Sequence, residues 1–154
     1  MTSVLASVRP DDWNFPLFIH VLGAMILVGG LLAGASFMTF ARGDARFLRL
    51  GYWTLLAVAL PGYVLMRIGG EWSYVKQGWD DLPDDESPAW ISIGYIVADL
   101  GALLVLIALI LGGIGVRRLR NGKGTGLLKA SMILAWIVLV AALVAVWAMS
   151  GKPN

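Results

Sequence analysis

Asp99 is the one acidic residue well inside an apolar run of this chain, and Ser92 and Tyr95 precede it at helical spacing. On an α-helix these three share a face, so they make a polar stripe descending from one end of their span. Asp99 lies about ten residues, or ~15 Å, below that end. A carboxylate at such a depth is costly and by default marks a functional site. The only histidine, His20, stands about six residues, or ~9 Å, inside another apolar run. Facing Asp99 across the interface of the first and third spans, it would have its tautomer fixed and its proton affinity raised. That arrangement suits proton handling or the orientation of a metal-bound imidazole. Arg67, near the end of the second span, tilts toward the N-terminus of its own helix and so toward Asp99. The competing expectation is that it extends to the lipid headgroups. Together these residues define an intramembrane polar site: His20, Asp99, Arg67, Tyr95 and Ser92. Its roles are a structural contact, a cofactor or proton function, or substrate binding.

A b-type haem needs axial ligands, commonly histidine or methionine. His20 supplies one, and Met25, Met66, Met132, Met149 or another chain would have to supply the second. Copper on His20 and methionine has soft-ligand logic, but the methionines are scattered. With no cysteine and one histidine, the chain holds no thiolate site, no CxxC redox pair and no multi-histidine metal centre of its own. A phosphate loop, a dinucleotide-binding glycine fingerprint and paired intramembrane carboxylates are all missing. Ser36, Ser92, Ser131 and Thr39 have no base beside them in sequence, and hydroxyls within spans usually bond back to their own helix. The expected class is a non-enzymatic membrane subunit. The alternatives are a haem- or copper-linked redox protein using His20 and a small proton- or ion-coupled transporter using Asp99.

The elements that must position these residues follow from composition. Of 154 residues, 58% are hydrophobic and 14% charged, too few charges to coat a water-soluble globule. Four apolar runs, about 14–41, 47–69, 88–116 and 127–149, each approach or exceed the ~20 residues a helix needs to cross a bilayer. The expected fold is all-α: a four-helix transmembrane bundle, one membrane domain over 1–154. No cleavable leader is evident at the N-terminus, so the first span is expected to stay as a signal anchor.

Charge sets the expected orientation. The turns at 42–46 and 117–126 are basic, with Arg49 and Lys129 beside them. The stretch 70–87 carries Glu71, Asp80, Asp81, Asp84, Asp85 and Glu86 against Lys76. Lysine and arginine beside span ends favour the cytoplasm. Both termini and the acidic stretch are therefore expected outside the inner (plasma) membrane. The net charge of +2 has this topological origin and does not indicate nucleic-acid binding. Trp13, Trp72, Trp79, Trp90 and Trp147 fall at the outer boundary, and Tyr52 and Trp53 near the inner one, as interfacial aromatics should. Trp72, Val75, Trp79 and Leu82 recur at helical spacing, which fits a short helix lying on the outer surface or capping the bundle, the alternative being a loop whose tryptophans anchor in the interface. The expected partners are the lipid bilayer and either a second copy or a larger membrane complex.

Helices in lipid associate through close packing of small residues. On the first span His20 shares a face with Gly23, Ala24, Leu27, Gly30, Leu31, Gly34 and Met38, so this glycine-lined face is expected to meet protein. Ala130, Ala141, Ala142, Ala145 and Ala148 leave similar room on the fourth. Pro61 should bend the second span near 57–62.

The segment FIHVLGAMILVGGL (18–31), with its histidine, Leu-Gly and Gly-Gly, resembles the first helix of a bacterial membrane family, domain-of-unknown-function family 2269. LPGYVLMRIGG resembles that family's second helix, and SPAWISIGYIVADLGALL the entry to its third. The resemblance covers most of the chain and implies a four-helix bundle without an assigned activity. A looser similarity, at His20 and Gly29-Gly30 alone, is to the copper-resistance membrane protein D group. Bacterial haem-linked protoporphyrinogen oxidases also place a histidine in helix one. This chain lacks their aromatic continuation and has no lysine in its third span.

Overall fold

A computed structural model describes residues 11–81 and 88–151. Helix α1 spans Asn14–Phe40, after a 3₁₀ turn at Asp11–Trp13. Helix α2, Ala45–Thr54, passes through a π-helical segment, Leu55–Ala59, into α3, Leu60–Lys76. Helices α4 and α5 cover Ala89–Arg120 and Gly126–Gly151, and among the described residues there is no strand. Four stretches are long and apolar enough to cross a membrane: Asn14–Phe40, Ala45–Lys76, Ala89–Arg120 and Gly126–Gly151. This is an all-α, multi-pass membrane bundle.

Two of these helices outrun the apolar patches that announce them. The second continues past 69 to Lys76 and the third past 116 to Arg120. At 32 residues each, they are about 48 Å long against a hydrocarbon core of ~30 Å. This corrects the expected surface helix. Trp72 and Val75 are the continuation of α3, only Trp79–Asp81 forms a separate 3₁₀ turn, and Leu82 lies outside the described residues. Asp84, Asp85 and Glu86 of the acidic stretch also lie outside them.

The π segment sits immediately before Pro61. Proline offers no N–H to the carbonyl one turn back, and the ladder widens just there, with the Leu60 N–H bonded to the Leu55 carbonyl. Where a bend is expected, near 57–62, the helix carries a π segment ending just before the proline.

Helix α1 packs along α3 and also against α2 and α5, while α4 packs along α5. Helices α3 and α4 approach each other only sparsely. The α1–α3 contact has a regular construction. The facing pairs are His20–Gly69, Gly23–Met66, Leu27–Gly62, Gly30–Ala59, Gly34–Leu55 and Met38–Gly51, all in one antiparallel register. Each pair contains one glycine, three from α1 and three from α2 and α3, and a Cβ on any of these glycines would strike its partner. Missing side chains therefore let the two backbones touch, the mechanism on which lipid-embedded helices rely. The buried face of α1 includes Gly23, Leu27, Gly30, Leu31, Gly34 and Met38, as its periodicity predicts. On α5, Ala148 is fully buried, and Ser131 donates a 2.7 Å hydrogen bond to the Ala108 carbonyl of α4. Trp136 Nε1 donates to Thr39 Oγ1 at 3.0 Å, tying α5 to the arginine end of α1.

Candidate functional site: a charged ladder between α3 and α4

Where α3 and α4 fail to pack closely, side chains bridge them. Arg67 Nη2 lies 2.9 Å from Glu71 Oε1 on its own helix and 3.2 Å from Asp99 Oδ1 on α4. The Arg67 guanidinium also lies over the Tyr95 ring, 5.0 Å from its centroid, a cation–π contact. Tyr95 donates its hydroxyl to Glu71 Oε2 at 3.1 Å, and Tyr74 meets the Tyr95 ring edge-on at 5.3 Å. One turn toward the arginine end, Tyr63 donates to the Ala98 carbonyl at 3.2 Å. The result is a ladder of side-chain bridges between α3 and α4: 63 to 98, 67 to 99, and 71 and 74 to 95.

The ladder is polar without being enclosed. The Arg67, Glu71 and Asp99 side chains keep 32%, 45% and 65% of their surface exposed. One cation faces two carboxylates, which leaves one formal negative charge. Among the described residues, no group of three or more histidine, cysteine, aspartate or glutamate side chains is placed to hold a metal ion.

Its height follows from residue counts on three helices. Arg67 stands 18 positions from Arg49, Asp99 18 from Arg117 and Trp147 18 from Lys129; each interval is about 27 Å at helical rise, close to the hydrocarbon thickness. Counted from those basic residues, the ladder lies about one hydrocarbon thickness away. Asp99 is also ten positions, about 15 Å, from the first residue of α4, Ala89, because that helix is longer than the hydrocarbon core is thick.

Of the residues singled out from sequence, Arg67, Asp99 and Tyr95 come together. Ser92, farther toward the end of α4, is exposed and joins no rung. His20 has a different partner. Its Nδ1 lies 2.8 Å from the Met66 carbonyl of α3, and its backbone lies against Gly69. Because a carbonyl only accepts, Nδ1 carries the proton in this bond. Nε2 is then the acceptor in the neutral ring. Gly70 makes the space: a Cβ there would fall 3.0 Å from His20 Nδ1. Helix α1 pairs with α3, so the expected contact between His20 and Asp99 gives way to a seam bond to Met66 and an ion pair to Arg67.

Glu71, Tyr63 and Tyr74 escape the sequence reading. Glu71 groups by composition with the acidic stretch, although its spacing from Arg67 is that of a helical ion pair. Nearer the end of α3, Lys76 Nζ reaches Asp12 Oδ2 at 3.5 Å, and Phe15 packs edge-on against Trp72 at 5.7 Å. These contacts fasten the start of α1 to the end of α3. No family model, curated protein or solved structure matches this chain.

Proposed function

We propose that this protein is a non-enzymatic subunit of a membrane assembly, working through the α4 flank of the charged ladder. One observation carries the reading: Asp99, though ion-paired, leaves 65% of its side chain uncovered where the apolar stretch of α4 begins. Ionisable groups in membrane helices almost always face protein or a water-filled cavity. The same flank carries Ile96, Leu100 and Leu103, all exposed. A second copy or another membrane chain seated there would cover the carboxylate and the apolar residues together. In this reading the ladder's end of the bundle faces outward, and the arginine turns stay on the cytoplasmic side.

The natural chain has no cysteine, which makes proximity mapping direct. Single cysteines at Ile96 and Leu103 should give discrete cross-linked species in native membranes. One at Ile137, on the lipid face of α5, should not. Monomer at every position would refute the subunit reading, and the adduct's mass separates a second copy from a different chain.

A second reading, ion-coupled transport through Asp99, is favoured by the ladder's unbalanced negative charge. It requires pH-dependent flux in liposomes that Asp99→Asn abolishes. For His20 as a haem or copper ligand, the supporting feature is its free Nε2, and a visible absorption band lost in His20→Ala is the required result.

A further inference from the structure

We infer that the cleft between α2 and α4 at the arginine end is a site for an anionic phospholipid, tightest for one that carries two phosphates. It lies at the other end of the bundle from the ladder and does not rest on the subunit reading. Segments 42–49 and 117–129 hold eight lysines and arginines and one acid, Asp44. Asp44 is spent as the cap of α2, where its Oδ1 accepts the Arg46 backbone N–H at 2.7 Å. Among the described residues, every ion pair lies at the opposite end of the bundle. Arg46, Arg49, Arg117 and Arg120 are all exposed. Among the described residues, the one hydrogen bond from their guanidinium groups runs from Arg49 Nε to the Ala45 carbonyl of its own helix, at 3.2 Å. These cations therefore have no anion within the chain.

The fold brings four of them to one cleft. Tyr52 of α2 reaches α4, where a Cβ on Gly112 would meet its ring and one on Gly113 its hydroxyl. On α2, Arg46, Arg49 and Trp53 recur at helical spacing on a flank beside Tyr52. On α4, Leu106, Ile110, Gly113, Arg117 and Arg120 do the same. Helix α1 covers the other side of α2, through Met38 against Gly51, and α5 covers the other side of α4, through Leu128 against Gly115. Both flanks therefore open on the same cleft. Trp53, Leu106 and Ile110 are exposed and lead from the arginines into the apolar layer, and the sparse approach of α3 to α4 leaves that track open to an acyl chain. Guanidinium forks take phosphate oxygens in pairs. Two arginines on each helix suit one phosphate each, so a lipid with two phosphates engages all four. A lipid with one engages half of them, and an ethanolamine headgroup adds an ammonium to a site already positive. The expected order is cardiolipin, then phosphatidylglycerol, then phosphatidylethanolamine. Basic residues beside span ends also set orientation, but positive charge on any face serves that purpose. Arg118 and Lys129, exposed on other faces of α4 and α5, supply the comparison.

The test is native mass spectrometry of the full chain, exchanged into mixed micelles holding the three lipids in equal amounts, where membrane orientation plays no part. Retained cardiolipin should exceed phosphatidylethanolamine by about fivefold or more, the gain for a single basic residue at an anionic surface being about that size. Arg49→Gln combined with Arg117→Gln should remove most of the preference. Arg118→Gln combined with Lys129→Gln, the same loss of charge outside the cleft, should leave it largely intact. Equal retention of the three lipids, or cardiolipin retained no better than phosphatidylglycerol, overturns the inference. Equal losses in the two double variants also overturn it, because net charge alone would then account for binding. So does a co-purified acidic polypeptide that holds this end and excludes lipid. Should the Arg49 and Arg117 variant fail to fold, the wild-type order and the Arg118 and Lys129 variant decide. Cross-linking at Leu103→Cys reads the subunit contact independently, so failure of either proposal leaves the other standing.

Discussion

Gly69 of α3 lies directly against the backbone of His20 of α1, and neither residue can be enlarged at its backbone without parting the two helices. The contact is one step in a register that repeats down the seam through Gly23, Gly62, Gly30, Gly34 and Gly51. Gly62→Ala meets the Leu27 nitrogen at 2.5 Å and the Ile26 carbonyl carbon at 2.9 Å, both backbone atoms that have nowhere to go. The cost should be about 1–3 kcal/mol, as for other overpacked positions. Gly29→Ala meets nothing within 4 Å and should be neutral or slightly stabilising, because alanine is the better helix former. Thermal unfolding of the two variants in the same detergent checks the contrast; equal midpoints would remove the seam from the account.

Arg67 serves two carboxylates and one ring, whereas Asp99 serves Arg67 alone among the contacts described. Replacing Arg67 should therefore cost more than replacing Asp99. Asp99→Asn should cost under about 1 kcal/mol, since the pair is partly exposed and screened. Arg67→Gln leaves two acids without their shared cation and should lower the thermal unfolding midpoint more than Asp99→Asn does. A double-mutant cycle with Asp99→Asn should return a coupling of about 0.2–1 kcal/mol. A coupling of zero would mean that the ladder does not hold α4 to α3.

Much of this fold is written in the chain at the level of periodicity. Hydropathy marks four spans because lipid tolerates few charges, and the buried stripe of α1 follows from glycine and leucine at helical spacing. Helix ends are less legible, since hydropathy reports where lipid stops and not where hydrogen bonding stops. The segment 69–76 is polar yet remains helical. Neighbour choice is less legible still. A helical wheel shows that His20 faces protein but not which helix it faces, and six glycine contacts with α2 and α3 decide the matter. Arg67 and Asp99 could be paired from tilt and depth alone. Glu71 could not, because its charge resembles that of the loop that follows.

Ser131 is fully buried, and its hydroxyl bonds to the Ala108 carbonyl across the α4–α5 contact. Ser131→Ala loses that bond while leaving little void, and should cost about 0.6–1 kcal/mol. Ser131→Leu is a different experiment. Gly112 lies 3.0 Å from the serine oxygen when a Cβ is built on it, so the larger side chain must push α4 away. It should cost more than the alanine variant, and thermal unfolding in detergent ranks the two.

The bond from His20 Nδ1 to the Met66 carbonyl predicts which substitutions the seam tolerates. His20→Ala removes the bond and should lower stability by about 1 kcal/mol. His20→Asn offers an amide N–H in a similar position and should recover part of the loss. Gly70→Ala tests the same bond from the other helix, because its Cβ would sit 3.0 Å from Nδ1 and 3.3 Å from Cε1. It should displace the ring without removing it. If Gly70→Ala and His20→Ala destabilise together by no more than either alone, the two act on one contact. Additive losses would place the role of His20 elsewhere, at Nε2.

The equal 18-residue intervals on three helices make the height of the ladder a measurable quantity. A membrane-impermeant maleimide should label single cysteines at Lys76 and Glu71 readily in intact cells. Labelling should fall at Arg67 and vanish at Val64, one turn nearer the apolar layer. Cysteines at Arg42 and Arg120 should react only after the membrane is opened, as the proposed orientation requires. If Arg67→Cys proves as protected as Val64→Cys, the ladder lies deeper than about 27 Å from the arginine turns allows, given a core of ~30 Å. The partial exposure of Glu71 and Asp99 would then be exposure to hydrocarbon, and only a protein partner could cover it. Labelling that stops between Arg67 and Val64 instead places the charged groups among headgroups, where water and lipid phosphates screen them.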